Sequence, residues 1–410
     1  MPKNIVFCAD GTWNGPGESD TDDPNDPWTN VYKLFLGLAG QDDQGSIRLG
    51  KEQERTAPAT DNAVAQVSKY LHGVGDSNNL LDKILGGGLG LGLITRIVRG
   101  YTFISRNYQP GDRIFLIGFS RGAYTVRALA GLISAQGLLP LNIATGVKLE
   151  AYRKGAAVWV AWRRNVLAAK DGLVPRFDDW LLQFPGFLVG QSPAAADMVQ
   201  ARIKTVAVWD TVGSLGIPVF NRQAIPIDFF QFADRALSDN IDFARHAVSI
   251  DEQRADFTPT LWDNPDPNGN RIVQGLFSGG HADVGGGYQL GNNESGLSNG
   301  ALAWMRTELT RLPDAPGLRW GTPPDIDLTA SFNGPSHEQW LRPPWPLLPR
   351  GPRNLGTGQA LHQAVLDRMN AGAVFPDPSA LETPYCPSNL SSYVVSTAGR
   401  FGAAPGVRVI

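Results

Sequence analysis

This 410-residue chain contains little cysteine and little histidine, and neither sign of charge predominates. It has 2 cysteines and 5 histidines, and its 36 basic and 39 acidic side chains give a formal net charge of −3. Two cysteines are too few for a disulfide framework, and near-neutrality gives no electrostatic reason to expect nucleic acid or an anionic membrane surface as the main partner. No apolar stretch is long enough to cross a bilayer, since residues 85–94 are a short run that is half glycine. The sequence therefore predicts a soluble globular protein with no transmembrane segment.

The start of the chain leaves no room for a cleaved signal peptide, because the first predicted strand begins at residue 3. Cys8 lies inside that strand, which is compatible with a reducing compartment. We therefore expect a cytoplasmic protein, or one exported by a route that needs no cleaved leader.

One serine stands in a context that is typical of a catalytic nucleophile. Ser120 is the centre of residues 118–122 (GFSRG), which follow the apolar run 113–117 and precede a helical stretch, 123–133. A buried strand, a tight turn and a helix in this order predict the nucleophile elbow of an α/β-hydrolase. In an elbow the turn exposes the hydroxyl, and the N-terminus of the helix favours developing negative charge. The two flanking glycines remove side chains where strand and helix nearly touch.

The same five-residue pattern occurs a second time, at residues 296–300 (GLSNG). It follows a polar, turn-like stretch rather than a strand, so we expect Ser298 to be a loop serine. The context of the pattern, and not the pattern alone, therefore selects Ser120.

A serine hydroxyl needs a base to become a good nucleophile, and the base needs an orienting acid. His281 is the predicted base, because the strand-like run 272–278 ends in the glycine-rich loop that carries it. His72, which precedes a turn, is a weaker candidate for a residue lining the site. Three further histidines are interpreted as structural residues, the first of them on a helix: His246, His337 and His362.

Asp210 is the predicted acid. It follows the strand-like run 204–209, and the carboxyl ends of parallel strands gather ligand-facing groups. The chain order is then nucleophile, acid, base, as in α/β-hydrolases. Asp283 and Asp251 remain alternatives. Asp283 lies two residues after the predicted base, where its carboxylate can instead bond the glycine-rich loop.

An ester hydrolase also needs two donors for the oxyanion. The first is expected to be the backbone N–H of Arg121, and the second that of Gly11 or Thr12, in the loop after the strand-like run 4–9. Asp10, at the end of that strand, has two interpretations: it anchors the loop by hydrogen bonds, or it binds a divalent cation. No other cofactor is predicted.

Several motifs in combination resemble one known family. They lie at residues 5–14, 108–131, 208–214, 246–254 and 277–288. Together they are similar to domain of unknown function 2235, an α/β-hydrolase family that includes the catalytic domain of phospholipase effectors delivered by type VI secretion. The resemblance spans roughly residues 3–288. It implies a serine esterase with phospholipase activity that uses Ser120, Asp210 and His281.

Alternating strand-like and helix-like runs predict an α/β fold with an α/β-hydrolase-like, doubly wound, mainly parallel sheet in a single domain, residues 1–410. Residues 141–200 are predicted to be a helical insertion, either a lid over the elbow or an ordinary packed layer. Residues 301–410 are predicted to be a Pro- and Trp-rich C-terminal extension that wraps over the sheet or the lid and is placed to line an acyl groove.

The expected function is hydrolysis of carboxylic esters, above all the acyl esters of lipids or phospholipids, through an acyl-enzyme. Two alternatives stay open. One is a small-molecule carboxylesterase without lipid preference, and the other is a non-enzymatic binding module on a hydrolase scaffold.

Overall fold

The computed structural model of the protein describes residues 2–11, 27–47, 52–58, 64–73, 89–169, 172–182, 190–213, 235–263, 265, 269–313, 316–322, 326–343, 345–347 and 349–410. Thr12 lies outside them.

The strands at the centre of the fold are rich in β-branched and aromatic residues, which suit a pleated, buried surface. The strands in the described residues are β1 (Asn4–Ala9), β2 (Gln41–Asp42), β3 (Glu52–Pro58), β4 (Val64–Leu71), β5 (Arg113–Phe119), β6 (Ile203–Trp209), β7 (Ile241–Ser249), β8 (Ile272–Phe277), β9 (Ala360–Leu361), β10 (Val394–Thr397) and β11 (Arg400–Ala403). β10 and β11 form a separate two-stranded antiparallel sheet. β1 and β8 are buried along their whole length, as expected of a sheet covered on both faces.

Within the described part of the chain, the first nine strands form one sheet in the order β2-β3-β4-β1-β5-β6-β7-β8-β9. Pairing is parallel from β4 to β9 in this order and antiparallel at the β2-β3-β4 edge. β1 has β4 on one side and β5 on the other. The chain continues from β1 towards the β2-β3-β4 edge and from β5 towards β6, so it leaves these two neighbouring strands in opposite directions across the sheet. The loops after β1 and β5 therefore border the crevice where an open α/β sheet binds its ligands. The predicted α/β-hydrolase-like fold class is confirmed.

Helices cover both faces of the sheet. They are α1 (Asn30–Leu36), α2 (Gln44–Ile47), α3 (Leu89–Asn107), α4 (Arg121–Gln136), α5 (Leu141–Ala144), α6 (Lys148–Leu167), α7 (Leu173–Leu181), α8 (His281–Gly285), α9 (Gly296–Thr310) and α10 (Gln363–Met369). The buried side chains of α3, α4, α6 and α7 form one core, and those of α1 and α9 form a second core on the opposite face.

The insertion at residues 141–200 supplies helices α5 to α7. Its buried apolar side chains pack with those of α3 and α4, and the rings of Trp159 and Phe177 lie 5.9 Å apart in that core. The described part of the insertion therefore packs as a helical layer, and a lid role for it stays a prediction.

The C-terminal extension is joined to the main sheet. Its predicted first residue, 301, falls inside α9, and its strand β9 pairs in parallel with β8. Leu355, Leu390 and Tyr393 of the extension pack with Val248 and Leu276 of the central strands. The extension therefore completes one edge of the fold.

Two local predictions were wrong. His246 lies on β7 and not on a helix, because this strand is buried between β6 and β8 and lacks the alternation that marks a half-exposed strand. Ser298 lies in the first turn of α9 rather than in a loop, and it is buried. Glycine and asparagine are weak helix formers, so this turn depends on the packing of Ala301 and Leu302 of the same helix in the core.

Substituting Gly122 by alanine is expected to destabilise the protein strongly. A Cβ atom there would lie 2.0 Å from the carbonyl oxygen of Ala9 and 2.6 Å from that of Asp10. We expect a loss of more than about 4 kcal/mol in the free energy of unfolding, measured by urea denaturation.

Gly300 provides the matched control, because it lies inside α9 and its Cβ would meet nothing within 4 Å. Gly300→Ala is expected to raise the free energy of unfolding by about 0.5–1 kcal/mol. Equal stability of Gly122→Ala and the wild type would contradict the close contact between α4 and β1.

Candidate active site

The turn between β5 and α4 holds Ser120 in a strained backbone conformation. Its φ of 57° and ψ of −123° lie outside the regions that non-glycine residues prefer. The Ser120 backbone N–H donates to the carbonyl of Trp209, the last residue of β6, at 3.1 Å. Such strain persists only where the surrounding structure imposes it, and it concentrates at functional sites.

The predicted acid and base are in direct contact. Nδ1 of His281 lies 2.5 Å from Oδ2 of Asp210, which immediately follows β6. His281 is the first residue of the short helix α8 and follows Gly279 and Gly280. Gly279 has a φ of 99°, which side-chain-bearing residues rarely adopt. The glycine-rich loop thus turns the chain so that the imidazole faces the end of the neighbouring strands.

Aromatic rings enclose the imidazole of His281. The ring of Phe119 lies 4.6 Å from it, and the ring of Phe257 meets it edge-on at 5.0 Å, both between centroids. Phe119 immediately precedes Ser120, so the imidazole lies over the residue next to the predicted nucleophile. Gly285 permits this arrangement, because a Cβ atom there would lie 1.9 Å from the ring of Phe119.

Burial and charge favour the deprotonated form of both side chains in this pair. Burial by itself raises the pKa of Asp210, but the Arg353 cation and the hydrogen bond from His281 outweigh it and hold that pKa well below its usual range. Burial lowers the pKa of His281, and Asp210 opposes the shift only in part. At neutral pH the pair is therefore a carboxylate and a neutral imidazole, the states that a general base and its orienting acid require.

Arg353 belongs to this site, although nothing in the sequence indicated it. Its guanidinium donates to both carboxylate oxygens of Asp210, at 2.7 and 2.9 Å. The backbone N–H of Ser249 adds a further donor to Oδ1 of Asp210 at 3.0 Å. The short segment around Arg353 (PRGPRN) has no motif that links it to a site.

The two alternative acids hold the glycine-rich loop instead. Asp283 accepts from the backbone N–H of Gly280 at 2.8 Å and contacts Nδ1 of His337 at 2.7 Å. Asp251 accepts from the N–H of Gly279 at 2.6 Å and from the hydroxyl of Tyr385 at 2.8 Å. Both carboxylates therefore fix the backbone on which the predicted base stands.

The other histidines have local partners. Nε2 of His246 accepts from the backbone N–H of Thr211 at 3.0 Å, and burial lowers the pKa of His246 to about 3, so it stays neutral and supports the residue after Asp210. His362 caps α10 through its side chain and stacks on Phe277. His72 follows β4 and contacts the ring of Tyr70.

The loop after β1 is anchored through Asp10. Its carboxylate accepts from Gly11 N–H at 2.7 Å, Thr29 Oγ1 at 2.5 Å and Tyr70 OH at 2.7 Å. Burial raises the pKa of Asp10 to about 6, against the effect of these bonds. In the ranges that the structure describes, no group of three or more His, Cys, Asp or Glu residues is arranged to hold a metal ion. A cation at Asp10 stays a hypothesis.

The predicted oxyanion donors are placed only in part. Arg121 is the first residue of α4, where its backbone N–H has no partner within the helix. The N–H of Gly11 already donates to Asp10, so it is a poorer candidate than the sequence indicated.

Comparison with known proteins identifies relatives of this chain. Residues 3–308 match the family described as "T6SS, Phospholipase effector Tle1-like, catalytic domain". An uncharacterized protein of Saccharomyces cerevisiae is 28% identical over 258 residues, a match that covers 62% of this chain and 32% of the yeast protein.

Two solved structures are similar at low TM-scores. A crystal structure of an uncharacterized protein from Pseudomonas aeruginosa has 19% identity and a TM-score of 0.43, covering 81% of this chain and 49% of that chain. The Tle1 effector bound to the VgrG spike from the Type 6 secretion system has 15% identity and a TM-score of 0.37, covering 71% and 52%. This chain thus spans about a third of the yeast relative and about half of each solved chain. None of the described helices is long and apolar enough to cross a membrane.

Proposed function

Because the chain belongs to the family of Tle1-like phospholipase effector catalytic domains of type VI secretion, we propose that it is a serine esterase acting on phospholipid acyl esters. Membership of this family supports a hydrolase of lipid esters. Ser120 is the nucleophile, His281 the base and Asp210 the orienting acid. One observation carries the assignment: the imidazole that Asp210 holds at 2.5 Å lies over Phe119, the residue before the strained elbow serine.

The first half of the reaction forms a serine ester. Oγ of Ser120 attacks the acyl carbonyl carbon while Nε2 of His281 takes the hydroxyl proton and Nδ1–H remains bonded to Asp210. Collapse of the tetrahedral intermediate breaks the bond to the alcohol oxygen, and the imidazolium returns its proton to that oxygen. The lysolipid leaves, and the acyl group stays on Ser120.

Water completes the cycle by the same route. His281 takes one proton from a water molecule as the water oxygen attacks the acyl carbon. The proton then passes to Oγ of Ser120 as the fatty acid is released. Backbone N–H groups hold the oxyanion in both halves, and each such donor contributes about 3 kcal/mol to the barrier reduction. We assign them to Arg121 and, since the N–H of Gly11 is bonded to Asp10, to Thr12.

We expect the wild-type protein to release fatty acid from phospholipid vesicles or mixed micelles faster than from short soluble esters at equal ester concentration. The measurement is fatty-acid release with and without a chelator, together with the intact mass after treatment with a fluorophosphonate. A single adduct on the wild type and none on Ser120→Ala is expected, with hydrolysis unaffected by the chelator.

Each contrary outcome identifies a different alternative. Equal rates on soluble esters, with no gain from an interface, would indicate a small-molecule carboxylesterase. Loss of hydrolysis in chelator, restored by Ca²⁺, would favour a cation at Asp10. A folded wild type with neither adduct nor hydrolysis, even in detergent, would indicate a binding module.

A further inference from the structure

Arg353 is fixed more completely than a simple counter-ion needs to be. Its side chain is 3% exposed, and it makes a two-pronged contact with the carboxylate of Asp210. The same guanidinium donates to the backbone carbonyls of Ser249 at 2.9 Å and Phe257 at 2.5 Å. A planar guanidinium with partners on both prongs has one orientation, which the single ammonium of lysine cannot reproduce.

The backbone of Arg353 is also tied to the sheet. Nδ2 of Asn389 donates to the carbonyl of Arg353 at 3.3 Å and to that of Ile250, just after β7, at 3.0 Å. Arg353 therefore presents its charge to Asp210 from a supported backbone.

The two prongs of Arg353 determine the orientation of the Asp210 carboxylate. Without them, the donors that remain among the described residues are the N–H of Ser249 on Oδ1 and Nδ1 of His281 on Oδ2. The terminal torsion of an aspartate is soft, so a carboxylate with one donor on each oxygen rotates more freely. The imidazole that it orients would then sample more positions relative to Ser120.

We propose that Arg353 is a positioning residue of the active site, and that the C-terminal extension thereby completes the catalytic arrangement. This inference rests on the proposed function and deepens it. Arg353 lies beyond residue 308, where the family match ends, so the part of the chain that matches the family does not contain every group that holds the acid.

Arg353 also affects the proton affinity of His281 through Asp210. Among the described residues, the charged groups that face His281 are Asp210, Glu252, which accepts the backbone N–H of His281 at 3.2 Å, and Arg254, with Arg353 behind Asp210. Because Arg353 shares the negative charge of the Asp210 carboxylate, less of that charge stabilises an imidazolium on His281. Removal of Arg353 leaves more of that charge to His281 and raises the pKa of His281. Since the neutral imidazole is the base, the acid limb of kcat/KM then moves to higher pH.

The test uses Arg353→Met and Arg353→Lys in the full chain, with kcat and KM measured from pH 5 to 9 and a histidine NMR titration of each protein. For Arg353→Met we expect kcat to fall on the order of 100-fold with KM little changed, and the acid limb to shift upward. Arg353→Lys keeps the charge but not the two prongs, so its pH limb should stay near that of the wild type while its kcat falls. With 5 histidines in the chain, the NMR titration reports His281 even without turnover.

Arg245→Met is the matched control. The Arg245 side chain is also 3% exposed and pairs with a carboxylate, Glu308, but its other hydrogen bonds in the described part of the chain go to backbone carbonyls such as that of Asn270, before β8 begins. Arg245→Met should lower the thermal stability without moving the pH limb or the pKa of His281.

The outcomes distinguish failure of the positioning role from failure of the proposed function. Wild-type kcat and an unshifted His281 pKa in folded Arg353→Met, or the same changes in Arg245→Met, would overturn the positioning role. If Arg353→Met does not fold, Arg353→Lys with wild-type kcat would overturn it. Lack of Ser120-dependent hydrolysis in the wild type would instead refute the proposed function, and the NMR titration would still decide for or against the role of Arg353.

Discussion

Replacing Ser120 by alanine is expected to lower ester hydrolysis by on the order of a millionfold and to leave the protein folded. The reaction loses its nucleophile, whereas the fold loses little, because the Ser120 side chain makes no capping hydrogen bond to α4. Alanine and serine meet the same backbone strain at a φ of 57°. Steady-state rates and thermal unfolding of the same preparation provide the two measurements.

The chain contains its own control for this substitution. Ser298 occupies the same five-residue pattern, but its hydroxyl donates to the carbonyl of Ser295, the residue immediately before α9. Ser298→Ala should keep full activity and lose about 1 kcal/mol of stability. Ser120→Gly should be inactive yet more stable than Ser120→Ala, because glycine accepts the strained conformation. Undiminished hydrolysis by Ser120→Ala would refute the proposed nucleophile.

Replacing Asp210 by asparagine is expected to lower kcat by on the order of 10⁴-fold. The amide is neutral, so it no longer stabilises an imidazolium on His281. Its NH₂ group also favours the wrong tautomer of the ring. The substitution leaves Arg353 buried without its counter-charge, which should cost about 3–5 kcal/mol in the free energy of unfolding. Kinetics below the unfolding temperature and urea denaturation measure the two effects separately.

Substituting asparagine for each of the two alternative acids, Asp283 and Asp251, provides the comparison. Asp283→Asn and Asp251→Asn keep an acceptor for the loop N–H groups of Gly280 and Gly279, so each should lose far less activity than Asp210→Asn. If Asp283→Asn reproduced the loss seen in Asp210→Asn, the assignment of the orienting acid would be wrong.

Strong local signals in the sequence predicted most of the central elements. The strands that end at Ala9, Phe119 and Trp209 are apolar runs followed by turn residues, and the fold contains them close to the predicted bounds. His246 and Ser298 were misplaced because tertiary packing, and not the local pattern, determines the element that contains each of them. A fully buried strand has no alternating pattern, and a helix that begins with weak formers exists only because it packs against the sheet.

The sequence by itself determined the fold class and the elbow context of Ser120, because hydrophobic runs, glycine turns and their order depend on residues that are neighbours along the chain. Only the tertiary structure decided which carboxylate contacts His281 and that Arg353 supports it. Arg353 and Asp210 are 143 residues apart in the chain. Their pairing follows from the convergence of strand ends and from the high cost of burying either charge alone, and neither cause leaves a local pattern.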